Sequence, residues 1–343
     1  MADIEIIGKW DNKTKKWNPN PSLEDYGRSF AFANYDCKKK DNSIHYIFFS
    51  PGERVEDHSK DFKTISIKEN RMDEIIRHYE EKRETYQLKM FLMDADAPIR
   101  EDAKLFAKYV ENICKKKDTK SVTLVGFSKC SVMNCYVPKY FKKKSTYKKT
   151  NMINVASPYE GTIMASPKFL WKEAFDYFIK LFHNKRLATK AVEKLKEVHK
   201  KISSNSHMDY DIALPNGVEE EKKHLYDKKL IKNVFKKDNV QSIKRLRVFQ
   251  NVVTGIDKYT LRENIRTRNK NGILLCMCNR IFLNKESDGL VKTSSQKKIE
   301  KVLGIHSRYI KSSHHDITSS KRMTKELLNI IDDTIEKGYQ KKL

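Results

Sequence analysis

The chain has 343 residues, of which 38% are hydrophobic and 34% charged, and its formal net charge at pH 7 is +25. Its 16 Tyr and 16 Phe supply enough large apolar side chains for a core, which excludes a wholly disordered chain. The sequence contains no run of roughly 18 apolar residues that could span a membrane, and its first residues, MADIEIIGKW, lack the apolar core of a signal peptide. We therefore expect a cytoplasmic protein, or one that a dedicated secretion system exports.

Short apolar strands alternate with amphipathic helices through the first half of the chain. Strands are predicted at residues 44–49, 87–93, 122–125 and 152–155. REDAKLFAKYVENICKKK, residues 100–117, has apolar residues at helical spacing and predicts an amphipathic helix. This alternation predicts the α/β class, with a mostly parallel central sheet flanked by helices. In such folds ligands bind beyond the carboxyl ends of the strands.

The pattern becomes helical from residue 166 to residue 243 and then returns to strands. RLRVFQNVVTG, residues 245–255, and GILLCMCNRIFL, residues 272–283, both have strand character. We expect residues 1–165 and 244–343 to form the two parts of one α/β core. Residues 166–243 are predicted to be a helical cap or lid domain inserted between them.

VTLVGFSKC, residues 122–130, places a single serine directly after an apolar strand. A nucleophilic serine needs a sharp strand-to-helix turn with strained backbone dihedrals, and small residues two before and two after it prevent a collision there. Gly126 and Cys130 hold these positions around Ser128. Ser128 is therefore a candidate nucleophile. The alternative is an ordinary turn in which Ser128 caps a helix.

Four segments resemble motifs of the α/β-hydrolase superfamily, of the serine lipase or esterase type. VTLVGFSKC resembles the nucleophile elbow, and NVASPYEGT resembles a segment that reads ATPHxGS/T in many lipases. SDGLVKTSS resembles DGxVPxxSA, and SHHDI resembles the terminal HxDL/I. The segments follow the chain order Ser, Asp, His of the family's triad. The sequence departs from the family at Cys130, Pro51 and Lys292, where glycine, histidine and proline are usual.

The resemblance implies a catalytic triad. Ser128 would be the nucleophile, His314 the general base, and Asp288 the acid that orients the imidazole. His314 is chosen because it holds the first position of the HxDI pattern, with the adjacent His315 as the alternative base. Asp257, just past a predicted strand, is the alternative acid.

The resemblance also implies an oxyanion hole of backbone N–H groups. Its donors would be Lys129, directly after the serine, and Glu53, in a turn where Gly52 lets the backbone approach closely. The reaction requires no metal and no organic cofactor.

The leading substrate hypothesis is a lipid acyl ester, cleaved as by a lipase or phospholipase. The alternatives are a thioesterase or deacylase acting on an acylated protein or a small acyl ester, and a non-catalytic basic scaffold that binds nucleic acid or a protein. Lysines in blocks along the chain, with few arginines, argue against nucleic acid. FLWKEAFDYFIKLF, residues 169–182, is aromatic on one face, which could lie on an anionic membrane or pack on its own domain.

Overall fold

The computed structural model describes residues 3–11, 13–18, 30–34, 44–50, 73–82, 85–92, 97–162, 166–202, 230–266, 268, 276, 286–314 and 316–340. The strands in this part are β1 Asp3–Asp11, β2 Lys16–Asn18, β3 Phe30–Asn34, β4 Ile44–Ser50, β5 Tyr86–Leu92, β6 Thr119–Phe127, β7 Thr150–Val155, β8 Val248–Thr254 and β9 Arg308–Ile310. The helices are α1 Asp73–Glu81, α2 Ile99–Lys115, α3 Lys129–Tyr136, α4 Lys144–Lys149, α5 Pro167–Phe182, α6 Lys185–Ile202, α7 Leu230–Val234, α8 Lys237–Lys244, α9 Lys258–Arg266, α10 Thr293–Leu303, α11 Asp316–Ser319 and α12 Lys321–Gln340.

The described strands form one sheet in the order β2-β1-β3-β5-β4-β6-β7-β8-β9. The six strands from β5 to β9 in this order run parallel. The other three strands, β1, β2 and β3, form an antiparallel edge of the sheet. The alternation of strands and helices in the sequence does not predict this edge. The predicted fold class, a mostly parallel central sheet flanked by helices, is confirmed.

Helices cover both faces of the parallel part of the sheet. In β6, Val122 and Leu124 belong to one core cluster together with residues of α2 and α3. The next apolar residues of the strand, Val125 and Phe127, point into a second cluster with residues of α1 and α12. Successive side chains of a strand face opposite sides, so a strand that is buried on both faces is mostly apolar instead of alternating. This explains the mostly apolar segment before Ser128, in which Thr123 is the buried polar exception.

Parallel strands bring their carboxyl ends to a single edge of the sheet, and the candidate residues follow these ends. β6 ends at Phe127, directly before Ser128, and β9 ends at Ile310, shortly before His314. Between these two strands lie β7 and β8. The sequence between β8 and β9 carries Asp288. The fold therefore directs all three segments to one edge.

The helices α5 and α6 pair with each other within the segment predicted to be a cap, residues 166–243. Leu230 and Val234 of α7 and Ile243 of α8, from the same segment, are buried in the core cluster of α2 and α3. The cap role and the three predicted segment boundaries remain predictions. The strand expected at residues 272–283 lies outside the described residues apart from Cys276. Among the described helices, none is both long enough and apolar enough to cross a bilayer.

Candidate active site

Ser128 occupies a strained corner between β6 and α3. Its dihedrals are φ 54° and ψ −126°, a region that residues other than glycine rarely occupy. The Ser128 N–H donates a hydrogen bond of 2.9 Å to the Val155 carbonyl oxygen, and the Ser128 carbonyl accepts one of 3.0 Å from the Ser131 N–H. These bonds on both sides of the residue hold the strained backbone in place. The geometry matches the sharp turn expected from VTLVGFSKC.

Gly126 lets β6 and α3 approach each other closely. A Cβ atom at this position would collide with the Asn134 amide and would lie 2.8 Å from both the Cys130 carbonyl oxygen and the Ser131 Cα. Cys130, at the other small position of the motif, has a buried side chain in the core. The corner therefore requires glycine before the serine and accommodates a thiol after it.

His314 and Asp288 form a buried pair, with side chains 4% and 0% exposed. The Nδ1 atom of His314 lies 2.7 Å from Oδ2 of Asp288. An ionised carboxylate only accepts hydrogen bonds, so Nδ1 is the donor and carries the proton. The neutral imidazole then keeps Nε2 as a proton acceptor, which is the form a general base needs.

The carboxylate of Asp288 is satisfied on both oxygens. Oδ1 accepts backbone N–H groups from Leu290 at 3.0 Å and Val291 at 2.8 Å. Oδ2 accepts the Thr254 hydroxyl at 2.7 Å and the Gln296 amide at 3.1 Å, besides the imidazole. Together with the imidazole, these groups make five donors that fix the position of the buried carboxylate behind the ring.

Gln296 on α10 connects the end of β8 with the Asp288 loop. Its amide nitrogen donates to Asp288 Oδ2 and, at 3.1 and 3.2 Å, to the carbonyl oxygens of Thr254 and Val291. Its amide oxygen accepts the Thr254 N–H at 2.7 Å. Neither Gln296 nor Thr254 is predicted from the sequence as a site residue. The available signals were a polar residue ending an apolar strand and a glutamine shortly after the SDG turn.

The imidazole of His314 lies beside the serine corner. Its ring centroid is 4.8 Å from that of Phe127, with an angle of 38° between the planes. Phe127 ends β6 and immediately precedes Ser128. The fold therefore brings the buried His–Asp pair to the strand end that carries the candidate nucleophile.

Asp257, the alternative acid, has other partners. Its carboxylate accepts the Thr260 N–H at 2.8 Å and the Thr260 hydroxyl at 3.1 Å, at the start of α9, and it lies 3.4 Å from Lys311 Nζ. Partial burial acts to raise the pKa of Asp257, but the hydrogen bonds from Thr260 and Lys311 outweigh burial and lower it. Asp257 therefore holds a helix start, whereas His314 is bonded to Asp288.

The predicted oxyanion donors fall in two different parts of the chain. Lys129 is the first residue of α3, so its N–H belongs to the helix N-terminus, where backbone donors and the helix dipole favour negative charge. Gly52 and Glu53 lie outside the described residues, as does the alternative base His315.

A chain of buried polar groups continues from α3 to Gln296. Asn154 donates to the Cys135 sulfur at 3.2 Å and to the Tyr159 hydroxyl at 2.9 Å. Tyr159 donates to Asn251 at 3.3 Å, and Asn251 donates to the Gln296 carbonyl oxygen at 2.9 Å. Burial raises the pKa of Cys135 to about 12, so this thiol is not ionised at neutral pH and is a poor nucleophile.

The described residues hold no cluster of three or more His, Cys, Asp or Glu side chains that could bind a metal ion.

No protein-family model matches the chain, and no curated protein sequence matches it. Similar solved structures include a lipase of Bacillus licheniformis in its mature form, with 12% identity, a TM-score of 0.42, and coverage of 88% of this chain and 97% of that chain. A carboxylesterase structure from the thaumarchaeon Nitrososphaera gargenis shares 12% identity, with a TM-score of 0.44 and coverage of 90% and 96%. A lipase-esterase related protein of Clostridium acetobutylicum shares 12% identity, with a TM-score of 0.40 and coverage of 88% and 99%. Likeness at this level says nothing about the reaction.

Proposed function

We propose that this chain hydrolyses a carboxylic ester, with Ser128 as nucleophile, His314 as general base and Asp288 as the group that orients the imidazole. The observation that carries the proposal is the strained Ser128 corner, whose neighbour Phe127 contacts the ring of His314, while Nδ1 of that ring is bonded to a buried carboxylate. Strain of this kind costs free energy, about 1–3 kcal/mol, and persists where the surroundings impose it. A turn that only capped a helix would have no need of the buried His–Asp pair beside it.

The reaction would proceed in two acyl transfers. In the first, Nε2 of His314 takes the hydroxyl proton while Ser128 Oγ attacks the ester carbonyl carbon, which forms a tetrahedral oxyanion. The imidazolium then gives the proton to the leaving alkoxide, so the alcohol departs and an acyl-serine remains. In the second, His314 deprotonates a water that attacks the acyl carbon. Collapse of that intermediate returns the proton to Ser128 and releases the carboxylic acid.

The oxyanion would be stabilised by backbone N–H groups. The Lys129 N–H follows the nucleophile directly and begins α3, a position where each well-placed donor is worth about 2.7–4 kcal/mol in the transition state. Glu53 is the second donor expected from the sequence. Both donors are backbone groups, so substitution of either side chain is compatible with an intact oxyanion hole.

Asp288 would stabilise the imidazolium that forms in each step. Its position behind Nδ1 supports this role, as do the four other donors that hold the carboxylate in place. Asp257 is the weaker candidate acid because its carboxylate is bonded to Thr260 and paired with Lys311.

The test is labelling with a fluorophosphonate probe, followed by mass-spectrometric mapping of the modified residue. We expect modification of Ser128 and turnover of p-nitrophenyl butyrate, with both lost in Ser128→Ala. Loss of the nucleophile should lower kcat by at least about 10⁴-fold. Ser242→Ala on α8 is the matched control and should behave as wild type. A folded Ser128→Ala protein that keeps its activity, or a probe attached at another residue, would refute the assignment.

A further inference from the structure

The helical pair α5–α6 ends in an exposed apolar tip. We define the hairpin tip as residues 180–187, all of which are exposed. Leu181 is 55% exposed, Phe182 40% and Leu187 50%. The other large hydrophobic side chains exposed in the described part of the chain are Ile265 and Tyr309, each on a different element. Single exposed apolar residues are common on protein surfaces, whereas a cluster of three marks an interaction surface.

Cationic side chains surround this apolar cluster. Residues 177–192 contain Lys180, Lys185, Arg186 and Lys190, all four of them exposed, and no Asp or Glu. The tip is therefore positive as well as apolar. A partner that covers it must accept both kinds of group.

The hairpin supports the tip as one surface. α5 ends at Phe182, His183 takes a left-handed conformation with φ 49°, and the chain reverses into α6. The Phe182 ring stacks on Phe178 at 5.7 Å with an angle of 7° between the planes. Ala188 and Val192, on the first turns of α6, are buried. The apolar surface thus continues into the packed interior of the hairpin.

We propose that the hairpin tip docks on an anionic lipid bilayer. Leu181, Phe182 and Leu187 would insert among the upper acyl chains, while the four cations lie against anionic headgroups. Nucleic acid would satisfy the cations but would leave the leucines no apolar partner. Two tips of two copies would bury their leucines but would bring like charges together. The bilayer is the partner that fits both features.

The base of the hairpin is connected to the proposed active site. The Thr162 hydroxyl donates to the Leu290 carbonyl oxygen, in the loop that holds Asp288. The Ser166 hydroxyl, at the N-terminal end of α5, donates to the Thr162 carbonyl oxygen at 2.8 Å. Docking of the tip would therefore anchor the ester-cleaving site at a membrane. This step rests on the proposed function and makes membrane lipid acyl esters the substrate class.

The test is sedimentation of the full-length protein with phosphatidylcholine vesicles that contain or lack phosphatidylglycerol. We expect binding to the anionic vesicles that falls at high salt. Removing three charges with Lys180→Gln, Lys185→Gln and Arg186→Gln should weaken binding about 100-fold, since each cation near the surface contributes about fivefold. The triple variant Leu181→Ser, Phe182→Ser and Leu187→Ser should lose binding to a similar or greater extent.

Matched controls remove the same kinds of group elsewhere. Ile265→Ser, and the triple variant Lys297→Gln, Lys301→Gln and Lys321→Gln, should bind vesicles as wild type. The tip variants should keep turnover of water-soluble p-nitrophenyl butyrate, and Ser128→Ala should keep vesicle binding. Failure of the docking proposal and failure of the proposed catalytic function therefore give different results. Equal binding to neutral vesicles, unchanged binding of the tip variants, or a tip that mediates only dimerisation or RNA retention would overturn the proposal.

Discussion

His314 and Asp288 are joined twice, by their side chains at 2.7 Å and by a 2.8 Å hydrogen bond from the His314 N–H to the Asp288 carbonyl oxygen. The second link fixes the backbone that carries the ring relative to the carboxylate. The imidazole is therefore oriented before any substrate binds. Such preorganisation is what a general base requires.

Asp288→Asn should inactivate the protein. An amide at this position donates a hydrogen bond instead of accepting one, which places the imidazole proton on the wrong nitrogen, and kcat should fall by about 10³–10⁴-fold. Asp257→Asn is the matched control. It should keep the helix cap, because Asn caps as well as Asp, lose at most about 1 kcal/mol of stability with the charge pair to Lys311, and leave kcat within a factor of a few. Ester turnover and urea unfolding measure both effects, and the reverse ranking of the two variants would make Asp257 the acid.

Gln296→Met should lower kcat about 10–100-fold with little change in KM. It removes one of the hydrogen bonds that position the Asp288 carboxylate, and a small misplacement of a catalytic group costs up to about 10²-fold in rate. Gln250→Met, at a partly buried position on β8, should leave both constants unchanged. A loss of stability with an unchanged kcat would reduce Gln296 to a packing role.

Ser128→Gly should be more stable than Ser128→Ala by about 1 kcal/mol. Glycine adopts φ 54° and ψ −126° without a Cβ clash, and relief of about 1–3 kcal/mol of strain exceeds its extra chain entropy of about 0.5–1 kcal/mol. The same pair of substitutions at Ser131, inside α3, should rank the other way, because glycine is the poorer helix former there. Urea unfolding of the four variants gives the comparison. A Ser128→Gly protein that is less stable than Ser128→Ala by the entropy cost alone, about 0.5–1 kcal/mol, would show that the corner is unstrained.

Gly126→Ala should destabilise the protein by about 1–3 kcal/mol or more, since the new methyl group meets the backbone of α3. Gly255→Ala is the comparison. There the atoms nearest to the methyl group would belong to the Tyr309 side chain, which is half exposed and can turn away. Thermal unfolding should give a much smaller loss for Gly255→Ala, and similar losses would contradict a close approach at Gly126.

His45 should make the folded protein sensitive to acid. Burial, reinforced by the charges of Lys120 and Arg247, lowers the pKa of His45 to about 4. In the unfolded chain the pKa of a histidine is about 6.5, so between these values the unfolded state binds the extra proton. The stability that neutral His45 contributes is therefore present above about pH 6.5 and is lost toward pH 4, by at most about 1.4 kcal/mol per pH unit.

Urea unfolding across this pH window measures the effect of His45. His45→Asn should flatten the pH dependence of the unfolding free energy, while His183→Gln, at an exposed position, should leave it unchanged. A slope that survives in His45→Asn would assign the acid sensitivity to other groups.

The sequence by itself determined the local elements of this protein. Residues 44–49, 122–125 and 152–155 were recognisable as strands because both of their faces are buried, which favours apolar residues on both faces. Each segment keeps one buried polar residue, His45, Thr123 or Asn154. The Ser128 corner was recognisable because its requirement for small residues is local too. The strands β1 to β3 form an antiparallel edge, which the alternation of strands and helices does not predict. The roles predicted for Gly52, Glu53 and His315 stay predictions, because these residues lie outside the described part of the chain.

Only the tertiary structure decided which distant groups meet. The order of β6, β7, β8 and β9 brings Thr254 and Gln296 to Asp288, and Asp288 to His314. The sequence also suggested that the whole aromatic face of residues 169–182 could contact a membrane. The structure buries Leu170 and Ala174 and exposes Leu181 and Phe182 at the tip. Secondary structure follows from neighbours in the chain, whereas hydrogen bonds between segments and the burial of one helix end depend on how all elements pack together.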